Sequence, residues 1–212
     1  METQLEGMIM KLARHEALIE LAFHYSIDET ANESDKLHIW LLDLDKTTFE
    51  PSACTLLSSD ELQRVARLKD PVNRRRALNR FILTRNILAK ILGDAPRNLA
   101  FSYGQHGKPR LAVKRNLVLD NTVNFNLSHS QNVFALAIAQ KREVGIDIEV
   151  VERTGNSSFD YFNWTAKEAI AKLTGVGLVE LEETAPNLGS YKTRVIQLNF
   201  CGKKAVLAVA VT

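Results

Sequence analysis

The chain carries one short design twice. "WLLDLD" at residues 40–45 and "VGIDIE" at 144–149 are apolar, strand-like runs with acids at matching places, Asp43 and Asp45 against Asp147 and Glu149. A helical run follows each. "TRNILAKILG" at 84–93 and "AKEAIAKLTG" at 166–175 align so that Ala89, Lys90 and Gly93 meet Ala171, Lys172 and Gly175. A repeated strand and helix restricts the chain to folds with two related α/β halves, because each apolar helix side needs its own sheet to cover it.

The second copy differs from the first in its chemistry. Side chains alternate across a strand, so Val144, Ile146, Ile148 and Val150 share one face while Asp147 and Glu149 stand together on the other. Two carboxylates so close raise each other's pKa unless water or a cation screens them, so the pair is either solvated or holds something positive. The helical run adds Glu168 where the first copy has Asn86, which makes three acids in the second half. Asp45 and Asn86 lie 41 positions apart and Glu149 and Glu168 only 19, so the second half is short by about 22 residues of connection.

The rest of the chain can be placed around this design. Residues 8–23 are helical and partly amphipathic, and "SIDETANESDK" is a polar linker, so residues 1–36 are expected to be an N-terminal helical extension and linker. Residues 37–120 then form the N-terminal half and 121–212 the C-terminal half with the acids. In "SSDEL", Ser58 as N-cap and Glu61 three positions on have capping-box spacing. Asp70 and Pro71 break that helix. A longer helix follows to Gly93, a C-cap, with Leu78, Phe81, Ile82, Leu88 and Leu92 on one side. Short strands come next, and "RVIQLNF" turns through "CGKK" into "AVLAVAVT" as a hairpin.

With 212 residues, 45% hydrophobic, 25% charged and a net charge of +2, the composition is that of a globular protein with no bulk affinity for nucleic acid or membrane. No run reaches the roughly 18 apolar residues of a membrane span. Cys54 and Cys201 have no metal-ligand spacing and read as reduced thiols in a cytoplasmic protein.

"GKP", "FNLSHS", "GIDIE" and "WTAKEA" occur in that order, and together they resemble the 4′-phosphopantetheinyl transferase superfamily, in its single-chain, pseudo-dimeric Sfp-like branch. The resemblance covers residues 38–177 and, more loosely, the C-terminal strands. It implies an α+β (α/β) fold of two pseudo-symmetric halves, each a small, mostly antiparallel sheet packed with a long helix. The implied reaction is Mg²⁺-dependent transfer of the phosphopantetheine arm of coenzyme A to a serine of an apo acyl or peptidyl carrier protein, as in holo-acyl-carrier-protein synthases.

By position, Asp147, Glu149 and Glu168 would hold Mg²⁺, a hard ion that prefers carboxylate oxygens. Glu168 would serve as general base, and Lys172 would neutralise phosphate charge. Ser128, His129 and Lys108 correspond to coenzyme A contacts, and Arg64 and Arg76 to contacts with its 3′-phosphate. Of Arg74, Arg75, Arg76, Arg80 and Arg85, which wind around a helix, most are expected to be solvated. An internal pseudo-dimer needs no second chain, so a monomer is expected.

The connection between Glu149 and Trp164 is shorter than the family's usual segment, near its carrier-docking surface. That leaves two alternatives: a homologue that binds coenzyme A or a carrier but turns over slowly, and an unrelated Mg²⁺-dependent nucleotide hydrolase using the same acids.

Overall fold

The computed structural model describes residues 20–29, 31, 36–112, 122–151, 160–178 and 191–212. Two sheets face each other across a shared apolar layer, and one helix covers the outside of each. The first sheet has the order β1 (Leu21–His24), β2 (Leu37–Asp43), β6 (Val133–Gln140), β5 (Val123–Ser130). The second has the order β7 (Val144–Val150), β9 (Lys203–Val211), β8 (Lys192–Phe200). Apart from β1, which runs parallel to β2, every pairing in both sheets is antiparallel.

The repeat is visible in this topology. In each half a strand leads to a helix and then a hairpin, and the second hairpin strand inserts between the other two: β2, β6, β5 in one sheet and β7, β9, β8 in the other. The fold is α+β with two pseudo-symmetric halves, as the sequence implied. The second hairpin turns on Cys201 and Gly202, with φ of 53° and 74°. Two successive left-handed residues match the twist of the flanking strands.

Alternation sorts the side chains into layers. Leu37, Ile39 and Leu41 of β2 and Val144, Ile146 and Ile148 of β7 point inward and meet the alanines of β6 between the sheets. The opposite face of the first sheet, with Trp40, Leu42 and Phe134, is covered by α2 (Pro71–Leu92) through Leu83, Ile87 and Leu88. The outer face of the second sheet is covered by α3 (Tyr161–Thr174), whose Ala169, Ile170 and Leu173 pack on Val206, Ala208 and Ala210. Leu78 and Phe81 are only half-buried, so the buried stripe of α2 is rotated from the expected one.

The helix signals act as read. Ser58 and Glu61 form a reciprocal capping box on α1 (Ser59–Ala66). Asp70 does more than interrupt: it caps α2 by accepting from Asn73 N at 2.8 Å, with Pro71 in the first turn. Gly93 and Gly175 end α2 and α3 in the left-handed conformation.

Two boundaries differ from expectation. Leu21, Ala22 and Phe23 belong to strand β1 and not to a helix, because pairing with β2 supplies their backbone partners; residues 8–19 lie outside the described residues. β5 and β6, assigned by sequence to the C-terminal half, pair with β2, so the change of sheet falls between Gln140 and Val144. Among the described residues no helix is long and apolar enough to cross a membrane.

Candidate active site

The site lies where the edges of the two sheets meet. On β5, Phe125 and Leu127 face the α2 core layer, while Asn126, Ser128 and Ser130 face β7. The "FNLSHS" segment is therefore a strand whose polar residues, spaced by two, line the seam. Across the seam, Asp147 is 3% exposed and Glu149 half-buried, both on the α3 side of β7.

Gly145 brings α3 onto this face. A Cβ there would lie 2.0 Å from Ala169 O and 2.4 Å from Leu173 N, so only glycine lets the helix backbone sit against the strand. Lys172, one turn after Glu168, then reaches over β7. Its Nζ donates to Asp147 Oδ1 at 2.6 Å and to Ser128 Oγ at 3.0 Å. Ser128 Oγ in turn donates to the same Asp147 oxygen at 2.8 Å. Glu149 Oε2 accepts from Ser130 Oγ at 3.0 Å.

The electrostatics are those of acids confined together. Burial, opposed by the Ser130 hydrogen bond and reinforced by Asp147 and Glu168, raises the Glu149 carboxyl above its ordinary value. Glu168 is also raised, by burial first; Lys172 opposes the shift and Asp147 adds to it. Among the described residues no set of three His, Cys, Asp or Glu side chains is close enough to hold a metal, and the Lys172 ammonium is the cation on Asp147. The donor set nevertheless fits a hard dication. Asp147 Oδ2 is buried without a hydrogen-bond partner, and the nearby acids are carboxylates with no thiolate or imidazole ligand among them.

Beside the acids lies a group of cations. Arg80 Nη1 meets His129 Nε2 at 2.6 Å, so Arg80, one of a group expected to be mostly solvated, is part of the site. Desolvation, and after it the charges of Arg80, Lys172 and Arg76, lower the His129 imidazole to about 4. His129 is exposed by surface area, which makes the cations the firmer cause. A neutral ring accepts the Arg80 hydrogen bond.

Ser128, His129, Asp147, Glu149, Glu168 and Lys172 thus gather at one seam, with Arg76 within electrostatic reach of His129. Arg76 is itself engaged: Nε and Nη2 clasp Asp45 at 2.9 and 2.5 Å, and Arg75 joins at 3.0 Å. These arginines hold the Asp45 carboxyl down to about 2. The first-half counterpart of Glu149 is therefore neutralised by its own lobe.

Two sequence-assigned contacts are placed elsewhere. Arg64 stacks on Tyr103, its Cζ 3.9 Å from the ring centroid. Lys108 is buried, and its Nζ donates to Glu143 Oε2 at 3.0 Å and to Leu173 O, at the end of α3, at 2.9 Å. It fastens the hairpin of β3 (Phe101–Tyr103) and β4 (Pro109–Leu111) to the second half. Arg85, grouped by sequence with solvated arginines, is buried against Glu61 at 2.8 Å and donates to Pro96 O and Leu99 O. Sequence reading missed Arg80, Asn126 and Ser130. The period-two polar pattern of "FNLSHS" was the available signal for the last two.

Two facing sheet-and-helix halves with acids and cations gathered at their seam define a duplicated α+β protein whose chemistry suits a phosphorylated ligand. The comparisons agree. Residues 46–141 match the profile described as 4′-phosphopantetheinyl transferase, N-terminal. The 4′-phosphopantetheinyl transferase HetI of a Nostoc strain is 33% identical over 177 residues, covering 71% of this chain and 73% of that protein. The slr0495 protein of Synechocystis, named as a candidate enzyme of the same type, is 29% identical over 73% of this chain and 72% of its own length. Escherichia coli AcpT, another 4′-phosphopantetheinyl transferase, is 36% identical over 36% of this chain and 35% of its own. The chain belongs to the 4′-phosphopantetheinyl transferase family, whose substrate is coenzyme A.

Proposed function

We propose that the protein transfers the 4′-phosphopantetheine arm of coenzyme A to a serine hydroxyl of an apo acyl or peptidyl carrier protein, in an Mg²⁺-dependent reaction. The observation that carries this reading is the meeting of Asp147, Glu149, Glu168 and Lys172 with His129, Arg80 and Arg76 at one seam. Cations there suit phosphates, and carboxylates suit a hard metal and a proton.

Asp147, Glu149 and Glu168 would hold the metal, which when bound supplies charge neutralisation at the diphosphate. Glu168, whose carboxylate burial makes a stronger proton acceptor than an exposed one, takes the proton from the attacking serine. The serine oxygen forms a bond to the β-phosphorus of coenzyme A, the P–O bond to the nucleotide breaks, and adenosine 3′,5′-bisphosphate leaves. Lys172 offsets the charge that gathers on the phosphate oxygens. His129, neutral above pH 5, offers a hydrogen bond to the ligand, with Arg80 and Arg76 supplying positive charge. Ser128 orients Asp147, while Arg64 on Tyr103 and Lys108 on Glu143 and Leu173 O hold the fold around the site.

One chain supplies both halves, which supports a monomer, and two free cysteines support a reducing, cytoplasmic setting. A second reading, a slow homologue that binds coenzyme A or a carrier, rests on the short Glu149-to-Trp164 connection, of which residues 152–159 lie outside the described residues.

The deciding experiment incubates the protein with apo acyl and peptidyl carriers, coenzyme A and Mg²⁺ and follows carrier mass. A phosphopantetheine adduct with release of the bisphosphate is expected. Coenzyme A binding without adduct on any carrier would favour the second reading. Free phosphopantetheine without adduct would make the protein a hydrolase.

A further inference from the structure

β7 is an outer strand with β9 on one side only, and the other edge would leave its N–H groups without a ladder. Side chains of β5 take the place of a strand there. Asn126 Oδ1 accepts from Ile146 N at 3.0 Å, Ser128 Oγ from Ile148 N at 3.4 Å, and Ser130 Oγ from Val150 N at 3.1 Å. A step of two on both strands keeps the three contacts in register.

Two of these contacts also touch an acid. Ser128 Oγ donates to Asp147, and Ser130 Oγ donates to Glu149 Oε2 at 3.0 Å. A hydroxyl has one proton to give, and a backbone N–H can only donate. Because Ser130 Oγ accepts from the Val150 amide, its proton is free to point at Glu149. A rigid backbone group thus orients the hydroxyl, and the hydroxyl orients the carboxylate. Ser128 is tied to Lys172 as well, so its loss would disturb several groups at once. Ser130 isolates the relation.

The geometry points to Ser130 as a positioning residue, whose one hydroxyl closes the Val150 edge amide and fixes the Glu149 carboxylate for sharing a cation with Asp147 and Glu168. This rests on the metal-dependent reading of the site. Outer partners that orient metal-binding side chains are worth about 10–100-fold in metal affinity.

Ser130→Ala and Ser130→Thr in the full chain test it, first without metal. In Ser130→Ala, Val150 amide exchange is expected to quicken by about tenfold and the Glu149 side-chain carboxyl carbon resonance to move, while Ser130→Thr keeps both as in the wild type. Titration with Mn²⁺ followed by electron paramagnetic resonance then reads affinity. Ser130→Ala is expected to bind about tenfold more weakly and Ser130→Thr like the wild type. A purely structural seal would change the Val150 amide and leave both the Glu149 resonance and Mn²⁺ affinity untouched, and that result overturns the proposal. A wild-type chain that binds no Mn²⁺ would instead remove the metal reading, and the Glu149 resonance would still decide whether Ser130 holds that acid.

Discussion

Gly145 and Ala169 are in backbone contact across the strand and helix that build the site: a Cβ on Gly145 would stand 2.0 Å from Ala169 O. The glycine of "GIDIE" is needed for packing, since it sets how far α3 stands from β7 and so where Glu168 and Lys172 reach. Overpacking typically costs about 1–3 kcal/mol, and here the obstacles are backbone atoms that cannot rotate away. Gly145→Ala is expected to lose about 3 kcal/mol in urea unfolding, with transfer activity falling alongside. Wild-type stability in that variant would show that α3 can shift without penalty.

Glu168→Gln keeps the size of the side chain and removes its charge and basicity. Among the described residues Glu168 makes no hydrogen bond that the amide would break, and burial already disfavours its charged form. The melting temperature is expected to stay near wild type while the single-turnover transfer rate drops by about 10²–10⁴-fold. An active Glu168→Gln enzyme would remove the general-base assignment.

The pair of Glu61 and Arg85 is a stability element away from the seam. Both residues are 2% exposed, and Arg85 uses Nη1 on two backbone carbonyls besides its ion pair. Removing one member of a buried pair costs about 3–5 kcal/mol because the other charge is left uncompensated. Glu61→Ala is expected to fall in that range by urea unfolding, and Glu61→Ala combined with Arg85→Met to cost less than the two single changes added together. Strict additivity would mean that the pair is not coupled.

His129 should titrate far below an ordinary histidine. Its folded value of about 4 lies under the unfolded 6.5, so folding favours the neutral ring. The resulting stability is present in full above pH 6.5 and is lost as pH falls from there toward 4. Proton NMR of the His129 ring is expected to show a midpoint near 4, rising when Arg80→Met removes the nearest cation. A midpoint near 6.5 in the wild type would contradict the cation cluster around it.

Much of the fold was legible because local chemistry determines it. Capping residues Ser58 and Asp70 act on amides three positions away, and Gly93 and Gly175 end helices through their own backbone. Period-two alternation on β7 put the valines and isoleucines on one face and the acids together on the other before any tertiary contact was known, and the structure turns the acid face toward α3. What escaped depended on partners distant in sequence. Residues 21–23 read as helix until pairing with β2 made them a strand. Arg85 looks like Arg74 in sequence, yet one is buried on Glu61 and the other donates to Leu68 O at an exposed corner.

By itself the sequence determined the duplication, the two faces of β7 and the caps of α1 and α2, because spacing and side-chain type are local properties. Only the tertiary structure decided that β5 joins the first sheet while its side chains serve β7, that Lys172 meets Asp147, and which arginines are held by Asp45 and Glu61. Ion pairs and seams form between segments whose separation along the chain carries no signal, and their geometry exists once the two sheets have closed on their common core.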